Sequence, residues 1–260
     1  MTMTQNKVAQ HSLKAVLVAA ALIGAQPAWA DTIELNNFWA GAGNVAVNYS
    51  GNVWYNSGYE AVNVSVNGGS GGFKTYDLTT DPNRSSPFQT FCVDIFHDFN
   101  FAVQSEDYSP TSSPSGLSTY AINNLDRLYT KYGSNITSTS SSNAHESAFQ
   151  LAIWAIVNDG AAINQSGVFD LTGGPIQFSN DSTGKAITIA QNWLNSLTTA
   201  TSSYDAQFLM VQNQGAVNSY GAQDVVYFTP ASAVPEPQTY AMLLAGLGLV
   251  GFLAKRRKNQ

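Results

Sequence analysis

Ala148-Phe149-Gln150-Leu151-Ala152-Ile153-Trp154-Ala155-Ile156-Val157 decides the fold. Wound as a helix, this run is apolar on every side except at Gln150, and a helix with no polar face has to be enclosed by other elements. The chain must therefore build layers around it. Asn143 and Glu146 stand at the spacing of a capping box, which would satisfy free N–H groups at the helix start, and Asn158-Asp159-Gly160 reads as its stop.

Two further helices are predicted on either side. Leu117, Ala121, Leu125, Leu128 and Tyr132 fall on one helical face, with Gly133 where a C-terminal cap belongs. Gly184 to Leu197 carries Ala186, Ala190, Trp193, Leu194 and Leu197 on one stripe, with Asp181, Ser182 or Thr183 available as its cap.

The period changes to two in the flanking segments. Val45, Val47 and Tyr49, then Val62, Val64 and Val66, occupy alternate positions and predict a β-hairpin or meander; Asn67 to Gly72 reads as a flexible turn. Phe73 to Leu78 and Phe88 to Val103 are strand candidates, the latter with Phe91, Val93 and Ile95 on one face and Thr90, Cys92 and Asp94 on the other. Ser105 to Ser118, polar and carrying Pro110 and Pro114, reads as a loop, and Gln207 to Gln212 and Asp224 to Thr229 close the set as strands. Strands, then helices, then strands predict an α+β fold, a mainly antiparallel sandwich or barrel with about three inserted helices.

The ends of the chain carry an address. Lys7 and Lys14 precede the apolar stretch Ala15 to Ala25, and Ala28-Trp29-Ala30 gives the small-x-small pattern cut by signal peptidase, so residues 1–30 read as a signal peptide. Residues 31–229 form the predicted extracellular domain and 230–238 a linker holding Val234-Pro235-Glu236-Pro237. An apolar run over 239–254 reads as a short transmembrane sorting helix, and 255–260 as a basic cytoplasmic tail headed by Lys255, Arg256, Arg257 and Lys258. Prolines hold the motif extended, as a protease would need it. This segment resembles the PEP-CTERM sorting signal of Gram-negative bacteria. The resemblance implies recognition and cleavage by an exosortase, transient residence in the inner membrane, and delivery to the cell surface or extracellular matrix.

Trimmed of both ends, the domain keeps 5 basic and 16 acidic residues, a net charge of −11. That sign excludes a nucleic-acid binder, which must neutralise phosphates. No cofactor or metal site is expected: Asp77, Asp81 and Asn83 lack the spacing of a Ca²⁺ loop and read as turn residues. No G-x-S-x-G, Walker or H-E-x-x-H pattern is present, and no catalytic residue is assigned. Trp39, Trp54 and Tyr55 could stack on sugars, although core packing is the usual use of such rings.

Cys92 is the only cysteine, which rules out an intramolecular disulfide in an exported chain and leaves an odd thiol. His97 and Asp98 follow it, but strand alternation points Cys92 and His97 to opposite faces; His145 reads as a surface residue in the first turn of its helix. Gln150 is the matching oddity, a buried amide that needs partners. The pairing of F-C-V-D at Phe91 to Asp94 with F-Q-L-A-I-W at Phe149 to Trp154 resembles the thioester domains of bacterial surface adhesins. That resemblance implies that the Cys92 sulfur bonds to the Gln150 side-chain carbonyl with loss of ammonia, and that an amine on a target later attacks the bond. Phe149 stands where those domains usually carry threonine. The same two residues also read as a small buried hydrophobe and an amide pairing with a strand edge. The functional expectations are thus a surface adhesin with a Cys92 to Gln150 thioester, or a non-covalent structural or carbohydrate-binding component of the extracellular polysaccharide matrix. Neither is an enzyme.

Overall fold

Alternating burial along short strands, and total burial along one helix, are what the chain shows once folded. The computed structural model describes residues 31–55, 58–95, 101, 104–136, 142–162, 169–197, 201–211 and 223–231. Residues 1–30, predicted as a signal peptide, and residues 232–260, which hold the predicted sorting helix and basic tail, lie outside the described residues. Among the described residues no helix is long and apolar enough to cross a membrane.

Among the described residues nine strands and three α-helices follow in order: β1 (Asp31–Phe38), β2 (Gly43–Tyr55), β3 (Gly58–Ser70), β4 (Phe73–Asp77), β5 (Phe88–Cys92), β6 (Gln104–Thr111), α1 (Thr119–Tyr132), α2 (Asn143–Ala162), β7 (Ile176–Ser179), α3 (Ala186–Asn195), β8 (Tyr204–Val211) and β9 (Val225–Pro230). Six of them close an antiparallel barrel in the order β1-β4-β5-β9-β8-β6, and closure leaves that sheet no edge. The other three form a separate antiparallel sheet, β3-β2-β7. Helix α2 lies between the two sheets, touching β2, β3 and β7 on one side, β5 on the barrel, and α1 and α3 on its remaining flanks. Its residues Ala148 to Val157 are all buried, as the missing polar face requires.

Several sequence expectations are corrected. Residues 105–111 are not loop but most of β6, paired with β1 and β8; among its described side chains Tyr108 is the buried one, and Pro110 near the strand end opposes Leu209. The strand predicted over Phe88 to Val103 leaves the ladder after Cys92. Helix α2 continues through Asn158, Asp159 and Gly160 to Ala162, because Asn158 turns its amide back to the Trp154 carbonyl (2.9 Å) inside the helix instead of ending it. Strand β3 extends through Asn67 to Gly69, leaving only a tight turn before β4. There Gly71 is required by close approach, since a Cβ would stand 2.5 Å from the Gly41 carbonyl oxygen. Strands β1 and β7 were not foreseen, and β9 takes in Pro230, which the sequence assigned to the linker.

The helix ends differ in detail. Ser142 precedes α2 and accepts at its side chain from the His145 N–H (3.3 Å), so the Asn143 and Glu146 capping box does not form. Gly133 has φ −55°, and α1 runs into a short 3-10 turn, Gly133–Asn135, without a left-handed cap. Helix α3 starts at Ala186, two residues after Gly184; Lys185 stands at the N-cap position without a side-chain cap, and Asp181 and Thr183 accept from the Ala186 N–H from ahead of it.

Candidate functional site

Strand β5 and helix α2 bring Cys92 and Gln150 together. Cys92 ends β5 in register with Val225 of β9, and Gln150 sits at the point on α2 where the helix crosses the barrel. The Cys92 N–H donates to Gln150 Oε1 (3.0 Å), and Gln150 Nε2 donates to the Cys92 carbonyl (2.6 Å). The carboxamide thus pairs with the strand end as another strand would. The two residues are 2% and 1% exposed, so this pairing takes place away from water. The end of β5 and the residues that follow it are covered on all sides: Thr90, Phe91 and Cys92 are buried, and so are Val93, Asp94 and Ile95.

The sulfur has its own surroundings. Cys92 Sγ donates to the Asp94 carbonyl at 2.6 Å. Burial, reinforced by the charges of Asp94 and Asp224, pushes the thiol well above its ordinary pKa, while the Trp154 indole beside it opposes the rise. Trp154 Nε1 is buried and makes no hydrogen bond of good geometry. Asp224 is itself fixed: its Oδ1 accepts from the Val211 N–H (2.7 Å) and its carbonyl from the Val93 N–H (3.0 Å). Tyr108 completes the layer by donating its hydroxyl to the Gln223 carbonyl (2.9 Å); burial raises its pKa, with Asp224 and Cys92 adding to the effect. The sulfur therefore stays a neutral thiol, next to an acyl group whose oxygen already has a backbone donor.

Apolar rings wall the site. Phe91 and Phe149 have centroids 4.8 Å apart, and Phe149 meets Trp193 and Phe228 edge-on. Phe149, in place of a hydroxylated residue, thus belongs to the aromatic seam between α2 and the barrel. Farther along, Glu146 is fully buried and accepts from Gln89 Nε2 (3.0 Å) and the Gly72 N–H (3.3 Å), and Ser147 bonds to Ser70. These contacts fix the helix against the turn before β4 and against β5. Glu146 turned inward was missed; the buried helix around it was the available signal.

Other sequence candidates fall elsewhere. His145 stacks on Trp193 with centroids 5.8 Å apart and joins no polar cluster with Gln150. His97 and Asp98 lie outside the described residues. Asp77 accepts from Thr79 and Thr80, and Asp81 from Ser85 and Ser86, which makes both turn residues. Among the described residues no group of three His, Cys, Asp or Glu is placed to hold a metal ion. Trp39 is half-buried, and the side chains of Trp54 and Tyr55 lie outside the described set.

Beyond this domain runs the segment that contains Val234-Pro235-Glu236-Pro237, the apolar run and the basic cluster. Residues 233–258 match the PEP-CTERM protein-sorting motif. The PEP-CTERM motif makes this an exported protein sorted by an exosortase, with surface or extracellular delivery as its consequence. It covers the sorting segment alone and leaves the activity of residues 31–231 to their own chemistry. No curated protein and no solved structure matches the chain.

Proposed function

We propose that the exported domain is a surface adhesin that stores an internal thioester between Cys92 and Gln150 and acts by covalent attachment, not by turnover. The supporting observation is the reciprocal pair at 3.0 and 2.6 Å, which lays the Gln150 carboxamide along the residue that carries the chain's one thiol. In the forming step the Cys92 S–H bond and the Gln150 Cδ–Nε2 bond break. The Sγ–Cδ bond forms, and the thiol proton leaves with the amide nitrogen as ammonia. The Cys92 N–H on Oε1 polarises the carbonyl for this step and for the later attack by a target amine. Burial excludes water from the stored bond, and the carboxamide is held against the Cys92 main chain before reaction.

In the attachment step the amine nitrogen bonds to Cδ, the Sγ–Cδ bond breaks, and the amine's proton restores the thiol. A lysine side chain on a surface protein supplies such an amine. The extracellular polysaccharide matrix is the setting in which an exosortase-sorted adhesin would meet its target.

Intact mass tests the proposal. The purified processed chain is expected to weigh one ammonia less than its sequence, and methylamine should add one methylamine to that lighter species. Cys92→Ala and Gln150→Glu should both show unmodified masses and no methylamine uptake. A wild-type mass equal to the sequence, with one thiol titrating after unfolding, would overturn the thioester. It would leave Gln150 as a structural clamp in a non-covalent matrix component.

A further inference from the structure

The barrel has no edge, but the second sheet does. Its strand β3 spans thirteen residues, Gly58–Ser70, and among the described residues it pairs with β2 alone. Strand β7 covers the other side of β2 only from Ala46 to Tyr49. An antiparallel edge strand presents unpaired N–H and C=O groups along its outer side, and soluble proteins usually blunt such edges with lysine, proline or a bulge. Strand β3 has none of these. Its register with β2 is unbroken over its whole length, and Glu60 is its one charge.

The sequence of β3 also favours one partner. Around Val64 it reads Val62-Asn63-Val64-Ser65-Val66, nearly the same in both directions. Two copies aligned antiparallel about Val64 set Val62 opposite Val66 and Asn63 opposite Ser65. Glu60 then falls opposite Gly68, so the like charges do not meet. The pairing is two-fold symmetric and closes on itself. We infer that the outer edge of β3 binds β3 of a second copy of this chain, joining the two β3-β2-β7 sheets into one continuous six-stranded sheet.

Ser65 and the β2 residues Asn48 and Ser50, which pair with Ser65 and Asn63, define the solvent face; Val47 and Tyr49, which pair with Val66 and Val64, define the buried one. By register, positions 63 and 65 oppose the exposed Ser50 and Asn48, so charges introduced there probe the edge. The full chain, purified in mild detergent, should sediment as a dimer and show hydrogen exchange over residues 58–70 that slows as protein concentration rises. The double variants Asn63→Lys with Ser65→Lys, and Asn63→Glu with Ser65→Glu, should each be monomeric with unchanged circular dichroism. Mixed in equal amounts they should restore the dimer, since lysines then face glutamates. Cys92→Ala should leave the dimer intact, which separates this inference from the thioester. A monomeric wild-type chain with concentration-independent exchange would overturn it. So would charged variants that still dimerise alone, or a mixture that stays monomeric.

Discussion

Gln150 holds Cys92 through main-chain atoms, and for that reason the two side chains should respond unequally to truncation. In a Cys92→Ala background, which removes any cross-link, a further Gln150→Ala change strips a buried N–H and a buried carbonyl of their partner. The expected cost is about 1–3 kcal/mol for the unsatisfied groups, with a cavity term added. Urea unfolding of the single and double variants measures it; equal midpoints would mean the amide contributes nothing. Asp126 responds differently. It is buried and accepts from the Ala206 N–H at 2.7 Å, and its pKa is raised from the ordinary carboxylate range because burial outweighs that hydrogen bond. An acid whose folded pKa is raised contributes stability below its unfolded pKa and loses it as pH rises through the folded one. Asp126→Asn should therefore match wild type at low pH and exceed it at neutral pH, as thermal unfolding across pH 3 to 8 would show. Cys92 and Gln150 were legible as oddities against apolar surroundings. Their hydrogen-bond pairing was not, because it depends on a main-chain N–H and C=O that every residue has.

At the scale of elements, α3 begins with a polar clasp whose parts come from one short segment. Asp181 Oδ2 accepts from the Ala186 N–H (2.6 Å), its Oδ1 from Thr183, and Thr183 Oγ1 from Ala186 (3.0 Å). Burial would raise the Asp181 pKa, but the bonds from Thr183, Ala186 and Ile187 outweigh it and hold the group below its usual range. Asp181→Ala should cost about 1–2 kcal/mol at neutral pH, comparable to removing a helix cap, because the Ala186 N–H loses its carboxylate acceptor. The loss should vanish as pH falls through the depressed pKa, because the wild-type contribution disappears there. A cost independent of pH would argue for packing instead. This helix and α2 were legible in the sequence because their signals, a stripe or a fully apolar surround, lie within one segment. Strand β6 was not, since its pairing with β1 and β8 comes from residues distant in sequence and, among its described side chains, Tyr108 alone is buried. Strand β7 was hidden by its length, with Ile176 and Phe178 as its buried pair. The end of β5 was obscured by an apolar run that continues past the point where pairing stops.

Across the whole molecule, the Cys92 to Gln150 bond would tie the barrel to the helical layer. The residues are 58 apart, so a covalent link closes a long loop in the unfolded chain. By loop-closure entropy such a link is worth at most about 4 kcal/mol, and strain in the folded state reduces it. For a domain of this size that corresponds to a thermal midpoint roughly 10 °C higher. Methylamine opens the bond and leaves only an N-methyl group on the Gln150 amide, so the treated chain should melt lower by up to that amount while keeping its circular dichroism at room temperature. Cys92→Ala should melt near the methylamine-treated wild type and should not shift on treatment. A reactive wild type whose melting does not move would mean that the barrel and the helical layer are already held by α2 packing alone, and that the stored bond serves attachment without supporting the fold.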